Sequence, residues 1–284
     1  MFQGDPPFDR IVAEQGVEWS ISKATEGHGY IDPKWTANCA RTPLYMRAVG
    51  AYHVLRAGDA KKQADHHARQ WELLAKTAAG SGAHVIPPVL DFEITDKLPA
   101  EQLIENAVAW VIRSEALTGV YPWLYSYPSF LREQCKNLAP LELRKCPMWL
   151  AWYPGFGFGV ASTVDPIAAL DRAKALPTLW RTGRWAAWQF DGNGGERFPN
   201  GVDADFNVAC GTVEEMLGIA TPIEADTYRT IPEPINGPDT LPQTPTSKSS
   251  QSQLRAVKWS DEKPYEQPNA ADFVAGLFPK KNGE

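Results

Sequence analysis

Short apolar runs recur along the chain, and polar, helix-periodic stretches separate them. The runs are VEWSISKA (17–24), VGAYHV (49–54), PPVLDFEI (87–94), YPWLYSY (121–127), PMWLAWY (147–153) and WAAWQF (185–190), and each reads as a strand. Helices are expected over 32–46, which opens with Asp-Pro, over 59–79, which begins at the good N-cap Asp59, and over 99–117. In the last of these, Ile104, Ala107, Val108, Val111 and Ile112 share one helical face. Shorter helices are expected at 129–138 and 212–218. Strand and helix in alternation imply parallel strands with helices outside, either a barrel or a doubly wound sheet. The chain has no G-x-G-x-x-G and no G-x-x-x-x-G-K-[ST], which favours the α/β barrel with its site at the strands' C-terminal ends. The pattern stops near residue 220. Residues 1–220 form the expected barrel, 221–253 a Pro/Ser/Thr-rich linker, and 254–284 a short, extended C-terminal tail too small to bury a core.

Composition narrows the function. Of 284 residues 43% are hydrophobic, eleven are Trp, and the net charge is −6, which suits a globular core and argues against nucleic acid as a partner. No apolar run approaches the roughly 20 residues of a membrane span. The opening MFQGDPPFDR lacks the basic and apolar regions of a signal peptide, so synthesis in a cytoplasm is expected. Cys39, Cys135, Cys146 and Cys210 lack zinc-ligand spacing and read as buried thiols, with a meeting of Cys135 and Cys146 left open. His66 and His67, in the polar stretch DAKKQADHHARQ, are expected to face solvent, and no metal site is implied. His28 reads as a hydrogen-bonding side chain rather than a catalyst. Neither a Ser-His-Asp order at strand ends nor a G-x-S-x-G elbow is present. DGNGGERFPNG (191–201) reads as a loop forming one wall of a cleft.

The strand PPVLDFEI carries the candidate chemistry. Alternation puts Val89, Asp91 and Glu93 on one side and Leu90, Phe92 and Ile94 on the other. Two strand steps separate the Cα atoms of the acidic pair by roughly 6–7 Å. Cleaving a glycosidic bond needs an acid for the leaving oxygen and a second group for the charge at the anomeric carbon. Glu93 is the natural acid/base, with Asp91 expected to raise its pKa. The plainer alternative is that both carboxylates cap a helix or pair with Lys or Arg. Other strand ends carry aromatics and donors: Tyr52 and His53, Tyr125 and Ser126, Trp152 and Tyr153, Trp188 and Gln189. Each alone fits a core; together they fit a sugar cleft.

ISKATEGHGYIDPKW (21–35), VGAYHV, PPVLDFEI, LYSY, WAAWQF and GVDADFNVACGTVEEML (201–217), in this order, resemble the lysozymes of glycoside hydrolase family 25 over roughly residues 2–218. The resemblance implies a modified, TIM-like β/α barrel that cleaves the bond after N-acetylmuramic acid in bacterial peptidoglycan, without metal or organic cofactor. It carries the acid/base role to Glu93, and gives Asp91 the task of orienting the substrate's acetamido group as internal nucleophile. Asp203 matches a further active-site carboxylate. Tyr52, His53, Tyr125, Trp152, Trp188 and Gln189 would line the cleft, with Lys23 and Glu26 near its floor. Many members are phage endolysins, so release from the host cytoplasm to the wall by a holin, or carriage in a virion, is expected. The tail would then dock onto virion or lysis-machinery partners.

The N-terminus departs from the pattern. Family members begin with a strand bearing G-x-D-V-S, whereas MFQGDPPFDR starts beyond it, and Asp5 and Asp9 match loop positions. Three explanations stay open: a start codon assigned too late, a barrel that closes differently with Asp5 recruited, or a weakened relative that still binds glycan. The rival readings are therefore a non-catalytic glycan-binding or structural virion protein and a chitinase-like enzyme using the same pair.

Overall fold

The computed structural model describes residues 6–151, 185–191 and 204–209, together with Val213 and Met216. Trp152, Tyr153, Asp203, Cys210, the expected loop 191–201 beyond Asp191, the expected helix 212–218 apart from Val213 and Met216, and the linker and tail lie outside the described residues. The sheet is built from β1 (Trp19–Glu26), β2 (Tyr30–Ile31), β3 (Ala48–Val54), β4 (His84–Val85), β5 (Val89–Asp91), β6 (Trp123–Ser126), β7 (Met148–Ala151), β8 (Trp185–Asp191) and β9 (Phe206–Ala209). Its order is β2-β1-β3-β5-β6-β7-β8-β9, with β4 beside β3. β1, β3, β5, β6, β7 and β8 run parallel, while β2 and β9 are antiparallel to their neighbours. This is the expected α/β architecture, a curled half-barrel with helices outside. Among the described residues β1 and β9 are not paired with each other.

The helices are α1 (Phe8–Gln15), α2 (Trp35–Arg41), α3 (Ala60–Ser81), α4 (Ala100–Thr118) and α5 (Leu141–Arg144). α3 starts where its cap says it should, because the Asp59 carboxylate accepts from the backbone N–H groups of Lys61 and Lys62. It ends at Gly82, whose φ of 80° suits a residue without Cβ. The helix expected over 32–46 is shorter: α2 gives way to a 3₁₀ turn at Thr42–Leu44, where Pro43 has no N–H to continue it. The stretch expected as a short helix from 129 forms a π-type turn at Phe130–Gln134.

Alternation along each strand feeds two apolar layers. Val89, Trp123, Trp149 and Ala187 fill the concave side. Leu90, Phe92, Leu124, Met148, Leu150 and Trp188 face outward and pack on Leu103, Ile104, Ala107, Val108 and Val111 of α4. Ile112 is not part of that stripe: it is half exposed, and Trp110 and Ser114 are buried instead. Each residue turns about 100° around a helix, so Ile112 leaves the face that Val111 holds. A third cluster joins Val49 and Ala51 to Trp35, Trp71, Leu74 and Ala78 of α2 and α3. Gly50 sits in a crowded place, since a Cβ there would stand 3.0 Å from Ile21 Cγ1 and 3.2 Å from Ile86 Cβ, and those side chains would have to give. Cys39, Cys135 and Cys146 are buried free thiols.

Candidate active site

β5 delivers Asp91 as its last residue, and Glu93 follows two residues later. Both line a cavity of about 460 Å³ at the C-terminal ends of the parallel strands, with Tyr52 of β3, Tyr125 of β6, Trp149 of β7 and Gln189 of β8. The cavity continues along β1 and β9 to α1, where Phe8 and Ile11 line it. Ladder register explains the convergence. Asp91 lies beside Val54 on one flank and Tyr125 on the other, and Tyr125 is beside Trp149. Tyr125 Oη donates to Gln189 Oε1 at 2.7 Å, and its ring meets Trp149 edge-on at 4.7 Å between centroids. These contacts fix an aromatic wall with polar edges, the kind of surface that takes a sugar ring.

The acidic pair is poorly solvated. Asp91 is 8% exposed, and its Oδ1 has no hydrogen-bond partner among the described residues. Burial, followed by the charge of Glu93, holds Asp91 well above the ordinary carboxyl range, against an opposing pull from Lys23. Glu93 is raised by burial first and by the charge of Asp205 second. The two carboxyls of the pair act on each other, as their spacing predicts, since the charge of Glu93 helps to raise Asp91; Asp205, also on the cavity lining, adds to the effect at Glu93.

Lys23 and Glu26 stand on the rim rather than the floor. Lys23 Nζ pairs with Glu26 Oε2 at 2.6 Å, and Arg56 bridges Glu26 to Asp96. Neither is among the residues that line the cavity. The Arg56 guanidinium grips Asp96, which together with Lys97 adopts left-handed backbone (φ 45° and 65°) just beyond Glu93.

Two expected lining residues face the other way. His53 is fully buried behind β3: its Nδ1 meets Thr25 Oγ1 at 2.8 Å, its Nε2 meets Gln63 at 3.2 Å, and its ring stacks on Trp110. Trp188 packs in the outer apolar layer. Each follows from strand alternation, since its sequence neighbour, Tyr52 or Gln189, takes the concave side. Ser126 is likewise turned away, with Oγ donating to Phe92 O at 2.7 Å. His67 is also corrected: it is completely buried, with Nδ1 3.0 Å from Thr25 Oγ1. His66 is half-buried, beside the Tyr30 carbonyl. Asp9 lies exposed on α1, and Asp5 is outside the described residues.

Sequence reasoning passed over Trp149 and Asp205. Trp149 was legible as the inward partner of the apolar run 147–153. Asp205 required knowing that FNVA forms β9, and a four-residue strand has little periodicity to show.

The sequence model of glycosyl hydrolases family 25 matches residues 1–196. The chain is 28% identical over 208 residues to "Uncharacterized protein YegX" of Escherichia coli O6:H1, a match covering 73% of this chain and 65% of that protein. The chain thus spans somewhat less than two thirds of that relative's length. It is 33% identical over 131 residues to the N,O-diacetylmuramidase of Chalaropsis sp, covering 40% of this chain and 57% of that enzyme. Among solved structures, the bacterial lysozyme from Streptomyces coelicolor superposes with a TM-score of 0.57 at 24% identity, covering 77% of this chain and 92% of that one. That likeness shows a shared fold.

Proposed function

From the premise that the chain belongs to glycosyl hydrolases family 25, we propose that it is a muramidase that cleaves bacterial peptidoglycan after N-acetylmuramic acid. The observation that carries this reading is the buried Asp91, with its unpartnered oxygen, beside the half-buried Glu93 in an aromatic-lined cavity at the strand ends. Glu93, its pKa raised by burial, gives its proton to the leaving oxygen as the glycosidic bond breaks. The acetamido oxygen of the same sugar attacks the anomeric carbon, while Asp91 accepts the acetamido N–H. Glu93, now ionised, takes a proton from the incoming water that opens the cyclic intermediate. The wall of Tyr52, Tyr125, Trp149 and Gln189 holds the sugar, and Asp203, from the motif GVDADF, is a further carboxylate of the site. No metal enters this chemistry. In its biology we infer a phage lysin, made in the host cytoplasm and acting at the wall, whose residues 221–284 engage virion or lysis partners.

Mass spectrometry of fragments released from purified peptidoglycan tests the reading. Fragments ending in reducing N-acetylmuramic acid are expected. Reducing N-acetylglucosamine ends, with cleavage of pure N-acetylglucosamine polymers, would replace it with a chitinase-like activity. A folded chain that binds the wall and releases nothing would replace it with a glycan-binding role.

A further inference from the structure

Glu93 stands on a short span between two anchors. Before it the sheet ends at Phe92, whose N–H donates to Tyr125 O at 2.9 Å and whose carbonyl accepts from Ser126 Oγ at 2.7 Å. After it a turn closes with the Leu98 N–H donating to Thr95 O at 2.8 Å, and both residues inside, Asp96 and Lys97, are left-handed. Glu93 and Ile94 make no backbone hydrogen bond among the described residues. Two successive residues with side chains at φ 45° and 65° do not hold such a turn by themselves. Arg56, from the loop after β3, holds it. Its Nη2 donates to Asp96 Oδ1 at 2.6 Å and its Nε to Oδ2 at 2.9 Å, while the Ala57 N–H donates to Oδ2 at 2.7 Å. A guanidinium fork on a carboxylate fixes direction as well as distance. Arg56 is itself fixed by buried Gln63, which accepts from its N–H at 3.0 Å and donates to its carbonyl at 2.8 Å, and by Glu26, which accepts from Nη1. One side chain thus ties the end of β1 to the loops that follow β3 and β5. Both Arg56 and Asp96 are partly exposed, so the pair adds little to global stability and its effect is local.

We propose that Arg56 and Asp96 are positioning residues of this site, a clamp on the loop after β5 that keeps the Glu93 carboxyl inside the cavity. Neither side chain lines the cavity, so both act through the loop. The catalytic meaning of the clamp rests on the muramidase reading; its hold on Glu93 does not. With the clamp released, the turn relaxes and the span beyond Phe92 swings outward. Glu93 then meets water and loses the burial that raises its pKa. The titratable groups around Glu93 are Asp91 of β5, Asp205 before β9, Tyr52 of β3 and Tyr127 after β6, with Lys23 and Glu26 of β1 acting on Asp91. None of them lies on the clamped turn.

The test is a ¹³C NMR titration of the Glu93 carboxyl in the full chain, comparing the parent with Arg56→Met, Arg56→Lys and Asp96→Gly. Glycine accepts left-handed backbone, so Asp96→Gly removes the grip without adding strain. Lysine keeps the charge but lacks the fork. The midpoint should fall by about half a pH unit or more in Arg56→Met and Asp96→Gly, and by a smaller amount in Arg56→Lys. Charge alone gives a different pattern, because removing a cation raises a nearby carboxyl while removing an anion lowers it. In reducing-end release kcat should fall by about 10–100-fold. KM should stay near that of the parent, because the wall of Tyr52, Tyr125, Trp149 and Gln189 is carried by other strands. A midpoint that stays or rises in folded Arg56→Met overturns the proposal, even if turnover falls. Should that variant not fold, an unmoved midpoint in Arg56→Lys overturns it equally. Falling midpoints in a chain that releases no muramic-acid ends support the clamp while removing the muramidase reading. Turnover by the parent with unmoved midpoints does the reverse.

Discussion

Tyr52 and His53 are neighbours in sequence, yet they serve opposite sides of β3. Tyr52 looks into the cavity with Asp91 and Glu93; His53 looks back into a dry cluster with Thr25, Gln63, His67 and Trp110. Both regions are polar and both are buried against sheet, but they are solved differently. Behind the sheet, Thr25 Oγ1 serves both ring Nδ1 atoms, and Gln63 serves His53 Nε2 while its own amide donates to the Arg56 carbonyl at 2.8 Å. In front, Asp91 keeps an oxygen without a partner among the described residues, beside open space. The rear cluster also leaves His67 Nε2 and Trp110 Nε1 without partners among the described residues, but His67 and Trp110 are fully buried, so what separates the two regions is access to open space. An unsatisfied group facing a cavity costs stability and is available to a ligand. The chemistry therefore belongs to the front cluster, and the histidines belong to the scaffold.

Acid should expose this difference most strongly. Burial lowers His53 to about 3 and His67 well below its ordinary 6.5. Groups depressed by folding contribute stability that is present above about pH 6.5 and is lost as pH falls toward their folded values. The unfolded chain takes up protons that the folded chain refuses, so the two rings together should remove up to about 2.7 kcal/mol per pH unit below 6. The front pair works the other way. Raised carboxyls contribute stability that is present below their unfolded pKa and lost as pH rises, so they offset part of the fall. Urea unfolding between pH 7 and pH 4 in an Asp91→Asn, Glu93→Gln background separates the rear cluster from the front pair. Adding His67→Gln should then halve the slope, and an unchanged slope would mean that His67 is not held neutral.

A smaller effect is expected in front. Asp91→Asn removes a carboxylate that is buried with an unpartnered oxygen, and should stabilise the chain by about 1–2 kcal/mol at pH 7 while depressing turnover. The stability gain should shrink below pH 4, where the parent carboxyl is protonated in both states. A loss of stability at pH 7 would show that Asp91 is a structural anchor, and the two clusters would no longer differ in kind.

Much of the scaffold was legible because its signals are local. The apolar runs mark six of the strands, and Asp59 marks the start of α3 to within a residue. The carboxylate pair was legible from its spacing on one strand, and the cavity brings it together with Tyr52, Tyr125 and Gln189. What could not be read depends on neighbours distant in sequence. His67 lies in a stretch rich in Lys, Asp and Arg, yet α3 turns that one ring under Trp110 of α4. His53 and Trp188 were placed in the cleft by type, although alternation denies it to them once Tyr52 and Gln189 are inside. β2 and β4 have two residues each and exist only through their pairing with β1 and β3.

The central claim is that the front pair performs hydrolysis, and Glu93→Gln tests it most directly. Release of reducing N-acetylmuramic acid from purified peptidoglycan should fall by a factor of about 10²–10⁴, while wall binding and the unfolding midpoint stay near those of the parent. Release at the parent rate by a folded Glu93→Gln chain would contradict the account.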